Sequence, residues 1–363
     1  MRLLHIAPFY EPAWAFGGMA RAASALCRAL VARGHDVTVV TARLHPAHAS
    51  QDALGGVRIL RVGGPRWLAR RLFPWSPGLT QRLAPLLAQT QLVHLHGHRS
   101  GLAVSGERAC RRAGVPFVLQ PHGTFPEHGQ STVQKRIFDR LAGERIVAAA
   151  AALLAVSEAE ARELPREASI VGNGVCMPAV EAASSPGGLL FVGSEAPQKR
   201  SRLLPALLRS LPGVRLEVIG PVSREWLGRF GAEASRVSLR GVLDQDALAR
   251  AYAEAALVVH PAVAEAFGLV PFEAALCGTA AVVAGGHGCG EWFGKAGGCV
   301  VAPDDAAALA AEVGRRLAEP QRAASEASAV AAFARAKLSW SRAASQVEAV
   351  YQAVLERCGR GAA

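Results

Sequence analysis

Residues 257–276 read Leu257-Val-Val-His-Pro-Ala-Val-Ala-Glu265-Ala-Phe-Gly-Leu-Val-Pro-Phe-Glu273-Ala-Ala-Leu276. The run Leu257–His260 is a short buried strand, stopped by Pro261. Pro271 suits the first turn of a helix, because a helix leaves its first N–H groups unbonded in any case. Glu265 then lies in the loop after the strand, and Glu273 in the opening turn of the helix. Gly268 lets the backbone come close to a ligand. The N–H groups around Phe267, Gly268, Leu269 and Val270 form a cradle for phosphate at a helix N-terminus. Two carboxylates eight positions apart would repel a bare phosphate. They suit sugar hydroxyls, one on each side of a diphosphate. A helix start with acidic capping residues is the other account of this segment, so its surroundings must decide.

Outward from it, strand and helix patterns alternate. Strands are expected at Leu3–Ala7, Val37–Thr41, Val57–Val62, Leu92–His96, Phe117–Gln120, Leu153–Val156 and Ile170–Val171, with helices at Met19–Arg33, Ser100–Ala113 and Thr132–Ala150. A second series follows at Leu189–Val192, Arg215–Ile219, Val237–Leu239, Leu257–His260, Ala281–Val283 and Val300–Val301. Such alternation predicts parallel sheets covered on both faces, and two series predict two doubly wound α/β domains. The chain length of 363 residues agrees with two cores. The turn-rich stretch 179–188 reads as the linker between domains at 1–178 and 189–340. In the final helix, 341–363, Val347, Val350, Tyr351 and Val354 form one apolar stripe that must dock somewhere. Residues 42–56 and 122–135 read as loops.

Composition excludes several classes. Hydrophobic residues make 51% and charged residues 19%, so the chain is not disordered. The longest apolar run, Ile146–Val156, is far short of a membrane span. Met1–Tyr10 reads as a first strand and not as a signal peptide. Seven scattered cysteines without C-x-x-C fit a reducing cytoplasm. The net charge of +11 is uneven: residues 1–175 hold 21 Lys and Arg against 11 Asp and Glu, while residues 176–363 hold 19 against 18. The basic half would face anionic lipid, a phosphorylated acceptor or nucleic acid. No nucleic-acid module is recognisable, so that partner is not expected. The segment Pro65-Arg-Trp-Leu-Ala-Arg-Arg-Leu-Phe-Pro-Trp75 has the rings and guanidiniums of an anionic membrane contact, although a plain arginine-rich surface accounts for it equally.

The segment Glu265–Glu273 resembles the E-x7-E signature of glycosyltransferase family 4, the retaining glycosyltransferases of GT-B fold. Further residues carry the resemblance in order along the chain. Phe16-Gly17-Gly18-Met19 is similar to the family's glycine loop, and Pro121-His122-Gly123 to its P-H-G motif. Val156-Ser157-Glu158 and Val171-Gly172-Asn173-Gly174-Val175 match two landmarks, and Phe191-Val192-Gly193 with Lys199 resembles the phosphate turn. Ala275-Leu-Cys-Gly278, Gly285-Gly286, Glu291, Trp340 and Tyr351 continue the match. The resemblance implies two Rossmann-like domains facing across a cleft, with the terminal helix crossing back to the first. It implies that Lys199 meets the donor diphosphate, Glu273 the ribose, and Glu265 the transferred sugar. His122 would sit over that sugar, and Gly18 would let the first helix approach the phosphates. One departure stands out: most relatives carry arginine after the glycine of the phosphate turn, and here it is Ser194. Arg200 or Arg202 would have to substitute.

The resemblance therefore implies a metal-independent hexosyltransferase using a nucleotide diphosphate sugar as co-substrate, with UDP expected ahead of GDP, and no cofactor. The surplus charge of the first half points to a lipid-linked glycan acceptor at the inner membrane face, as in bacterial-type surface polysaccharide assembly. A small soluble acceptor, sugar-nucleotide epimerisation, or donor binding without transfer are the rivals. His94, His96 and His98 alternate at the end of one strand. That spacing suits a metal, but without a nearby carboxylate or cysteine no metal is expected. His96, His98, Arg99 and Glu127 are instead expected to meet the acceptor, at the strand ends where doubly wound folds bind ligands.

Overall fold

A computed structural model describes the whole chain except residues 15–16, 46, 65–73, 126–131, 182–186 and 360–363. Most of the membrane-contact candidate 65–75 and half of the linker candidate 179–188 thus fall outside the described residues, and Phe16 and Glu127 lie wholly outside them.

The chain divides into two compact units, residues 1–174 with 340–363, and residues 175–339. The first holds β1 (Arg2–Ala7), β2 (Asp36–Ala42), β3 (Gln51–Leu54), β4 (Val57–Val62), β5 (Leu92–His96), β6 (Phe117–Gln120), β7 (Ala152–Ala155) and β8 (Ser169–Ile170). They lie side by side in the order β3-β4-β2-β1-β5-β6-β7-β8. Every pairing is parallel except β3 with β4. That hairpin corrects the expectation of a loop over 42–56. Gln51-Asp-Ala-Leu54 is a poor strand by composition and forms only because β4 supplies a free edge. The helix expected over 132–150 runs from Thr132 to Ala149 and contains a π-helical turn at Asp139–Gly143, between α-helical stretches Thr132–Phe138 and Glu144–Ala149.

Alternate side chains of each strand go to opposite faces. Leu4, Ile6, Val93 and Leu95 pack beneath helix Gly101–Ala113, while Leu3, Leu92 and Val118 pack on the other side with Leu26 and Leu30 of helix Gly18–Ala32. The stripe Val347, Tyr351 and Val354 of the final helix, Trp340–Arg357, is buried in this second layer. The chain leaves the first unit at Gly174, ahead of the expected linker. A Cβ at Gly174 would lie 2.5 Å from the Trp340 ring and backbone nitrogen, so only glycine seats the returning segment. One residue on, Val175 N–H donates to Leu338 O at 2.7 Å within the second unit.

The second unit is a six-stranded parallel sheet of β9 (Leu189–Val192), β10 (Leu216–Ile219), β11 (Val237–Gly241), β12 (Leu257–His260), β13 (Ala281–Ala284) and β14 (Cys299–Val301), ordered β11-β10-β9-β12-β13-β14. The order reverses at β9, between β10 and β12. In doubly wound sheets, the carboxyl ends of the strands at this reversal form the ligand crevice. Gly193 and the Glu265 loop leave β9 and β12 there. In the first unit the reversal lies at β1, between β2 and β5, and the chain leaves β5 and β6 into His98 and His122.

Candidate functional site

Lys199 ends a short 3-10 turn, Pro197–Lys199, after β9. Val263 N–H donates to Gln198 O at 2.9 Å and ties this turn to the loop after β12. The Lys199 ammonium donates to Glu265 Oε1. Burial alone would push the Glu265 carboxyl up, but Lys199, joined by His260 and His287, more than offsets it, and the carboxyl sits below its usual range. Cys289 N–H donates to Glu265 O at 3.1 Å, which fixes the backbone of the acidic residue. Gly268 follows at φ 72° and opens helix Leu269–Leu276 without a side-chain cap. A Cβ there would lie 2.4 Å from Cys289 Sγ, so the position demands glycine twice over. Cys289 is buried and its thiol is pushed well up, which makes it packing and not a nucleophile. Glu273 is buried in the helix, where its Oε2 accepts from the Tyr252 hydroxyl at 3.0 Å.

The phosphate turn is tight. A Cβ at Gly220 would lie 1.9 Å from Gly193 O, so the two glycines hold neighbouring loops in contact. Ser194 Oγ accepts from Ala196 N–H at 3.4 Å. Arg200, at φ 50°, donates to Asp304 Oδ2 at 2.7 Å. Arg202 is exposed on the next 3-10 turn, Ser201–Leu203. In the first unit, Gly17 at φ 96° precedes helix Gly18–Ala32, also without a side-chain cap, and a Cβ on Gly17 or Gly18 would meet nothing within 4 Å.

His122 sits at φ 55° after β6, and its Nε2 lies 2.9 Å from His96 Nδ1. Burial holds its imidazole down at about 3, so it is neutral at physiological pH. His96 and His98 are both 0% exposed, which corrects the expectation that they meet the acceptor: they stand behind the surface. Arg99 likewise acts as a brace. Its guanidinium donates to both Asp139 oxygens and to the carbonyls of Thr124 and Phe125. Among the described residues the grouping with metal-ligand geometry is His5, His94 and His96, whose offered atoms lie within 4.8 Å of one another. His98 is outside it.

Glu160 is a further residue of this site, outside the motifs that carry the family resemblance. Its carboxylate accepts from the backbone N–H of Gly123 and, at 2.7 Å, from that of Val156. One buried side chain thus pins the P-H-G turn to the strand–helix junction after β7. Its signal was present, since Ser157 and Glu160 have capping-box spacing and Ser157 Oγ does accept from Glu160 N–H at 3.1 Å.

Two Rossmann-like parallel-sheet units are the GT-B architecture. In solved structures the chain is similar to sucrose-phosphate synthase of Thermosynechococcus elongatus, with a TM-score of 0.81 and 21% identity over 98% of this chain and 100% of that one. It is also similar to Anabaena HepE in complex with UDP-glucose, with a TM-score of 0.75 and 17% identity over 97% and 100% of the two chains. The family model for Glycosyltransferase Family 4 matches residues 16–175, and that for glycosyl transferases group 1 matches residues 186–319. The D-inositol 3-phosphate glycosyltransferase of Nocardiopsis dassonvillei is 30% identical over 96% of this chain and 93% of its own. The glycogen synthase of Mycobacterium tuberculosis is 26% identical over 97% and 95%. The chain belongs to glycosyltransferase family 4, and it is a glycosyltransferase.

Proposed function

We propose that the protein transfers a hexose, with retention, from a UDP-sugar to a hydroxyl of a lipid-linked glycan, without a metal ion. The Lys199–Glu265 pair beside the uncapped helix start at Gly268 carries this reading. Negative charge builds on the leaving diphosphate as the sugar–phosphate bond opens. An ammonium and a helix N-terminus stabilise that charge. Glu265 and Glu273 accept hydroxyls of the sugar and the ribose. A neutral His122 suits an oxocarbenium-like state, which an imidazolium would repel. UDP is favoured because HepE, of the same fold, is solved with UDP-glucose. The lipid-linked acceptor rests on the positive surplus of residues 1–175; among the described residues no helix is long and apolar enough to cross a membrane.

A second acceptor class has its own support. The Nocardiopsis relative is named for D-inositol 3-phosphate, and a small phosphorylated acceptor would also suit the basic half. Thermal stability against UDP, GDP, ADP and their sugars, with EDTA or with Mg²⁺, tests the donor. A ligand at about 100 times its Kd stabilises by roughly 2.7 kcal/mol. UDP or UDP-glucose should raise the transition equally with and without metal. Lys199→Ala should abolish the shift, and Arg200→Ala should keep it. No shift with any nucleotide refutes the proposal. Product analysis with a lipid diphosphate glycan and with inositol phosphate separates the two acceptors.

A further inference from the structure

His94 and His96 occupy one face of β5, and His5 is the register partner of His94 on β1. Three imidazoles therefore share one buried patch of sheet. The left-handed backbone of His122 brings a fourth ring onto its rim. Ring centroids lie 4.1 Å apart for His94–His96 and 5.2 Å for both His5–His96 and His96–His122. Two hydrogen bonds run through the row: His5 Nδ1 to His96 Nε2 and His96 Nδ1 to His122 Nε2, each 2.9 Å. Tyr351 of the terminal helix closes the inner side, its hydroxyl 2.6 Å from His94 Nδ1.

Burial holds all four rings neutral. A neutral imidazole has one N–H and one bare nitrogen, so the bonds must all run the same way. If they run inward, His5 keeps a proton on Nε2. If they run outward, His5 Nε2 is a bare lone pair and the proton of His122 sits on Nδ1. His5 Nε2 is buried with no hydrogen-bond partner among the described residues. An N–H stranded in the interior is the rarer and costlier orphan. The chain therefore runs outward.

We propose that His5 and His96 are positioning residues that lock His122 in the Nδ1–H tautomer, so that its remaining ring nitrogen is always a hydrogen-bond donor. His122 then presents a fixed, uncharged donor to the transferred sugar. Every sugar hydroxyl and ring oxygen can accept from it, and none has to reorient a protein proton during transfer. The identity of what His122 meets rests on the proposed function; the tautomer does not.

The test is nitrogen NMR of protein labelled at histidine, at near-neutral pH. The expected result is a proton on Nδ1 of His122 and a bare Nε2; a proton on Nε2 overturns the proposal, whatever the protein's activity. His96→Leu keeps the volume and removes the chain. It should mix the His122 tautomers and lower kcat by roughly ten- to hundredfold through lost orientation, with a smaller change in donor KM. His96→Asn, whose amide nitrogen reaches the place of Nδ1, should restore both the tautomer and most of kcat. Equal loss in the two variants, or an unchanged kcat in His96→Leu, also overturns it. The tautomer in the wild-type protein is read without turnover, so failure of the transferase reading leaves a distinct signature: Nδ1–H present and no product.

Discussion

Acid should destabilise this protein between about pH 6.5 and 3, through its buried histidines. The imidazoles of His5 and His122 are held at about 3 by burial. In the unfolded chain an imidazole titrates near 6.5. Between these values the unfolded state binds more protons than the folded one, so stability falls as pH falls from about 6.5 towards 3. At about pH 5 each ring costs roughly 2 kcal/mol, and the pair about 4 kcal/mol. His94 and His96 are shifted in the same direction and add the same sign. Glu160 works against them. Burial pushes its carboxyl up to about 7, so it is protonated in the folded state below that value and returns roughly 2–3 kcal/mol over the same interval. Asp139 stays out of the window. Burial raises its carboxyl, but His98 and Arg99 more than offset this and hold it at about 2. Urea unfolding at about pH 7.5 and about pH 5 should therefore show a clear loss of midpoint, at roughly 3 kcal/mol per molar of urea. The loss should be steeper in Glu160→Gln, where the counterweight is gone. A midpoint that does not move between these pH values, or a variant with a shallower slope than the parent, would refute the reasoning.

Gly268→Ala should destabilise by about 1–3 kcal/mol, since it adds a left-handed alanine to a collision with Cys289 Sγ. Adding Cys289→Ala should recover the part due to the collision and leave the part due to φ, and a double-mutant cycle on the melting temperature reads the split. Tyr351→Phe leaves His94 Nδ1 without its partner in the interior. It should cost about 1–3 kcal/mol, read as a shift of the urea midpoint; an unshifted midpoint would mean that the bond contributes nothing.

The strands were legible because buried parallel strands are short apolar runs with firm punctuation, and β4, β5, β6, β9 and β12 carry the bounds read from sequence. β3 was not legible, because its pairing comes from a neighbour and not from its own residues. Composition placed the change of unit at the proline- and serine-rich stretch after Pro178. The chain changes unit at Gly174, where the determining fact is the Trp340 ring more than 160 positions away in sequence. The same limit governs the site. Glu265, Gly268 and Glu273 could be placed because a local strand–loop–helix pattern positions them. Arg99 looked like a loop charge aimed at ligand, and its partner Asp139 lies 40 positions on. His5 is a lone histidine in the first strand, and only the register of β1 against β5 reveals it as the inner end of an imidazole row.

That local-versus-distant contrast bears on Ser194. The family resemblance put an arginine fork on the diphosphate at this position and left Arg200 or Arg202 to replace it. Arg200, at a left-handed backbone, is paired with Asp304 and has no bond to the Glu265 loop among the described residues. Arg202 points from an exposed turn. The cation with a partner in the Glu265 loop is Lys199, and that partner is the carboxylate proposed to receive the sugar. Under the proposed function, donor binding would be an exchange of partners. The diphosphate would take the ammonium from Glu265, and a sugar hydroxyl would take the place of the ammonium on the carboxylate. Each charge keeps a counterpart throughout, so the site need not hold an unpaired buried charge before the donor arrives, a state that would cost several kcal/mol. A serine at 194 is then compatible with transfer, because the arginine's positive charge is not what holds the Glu265 carboxylate in place. The consequence falls on Lys199: its removal would leave the partly buried Glu265 carboxylate without its cation beside the proposed phosphate site, so Lys199→Ala should harm donor affinity far more than the loss of one phosphate contact would suggest.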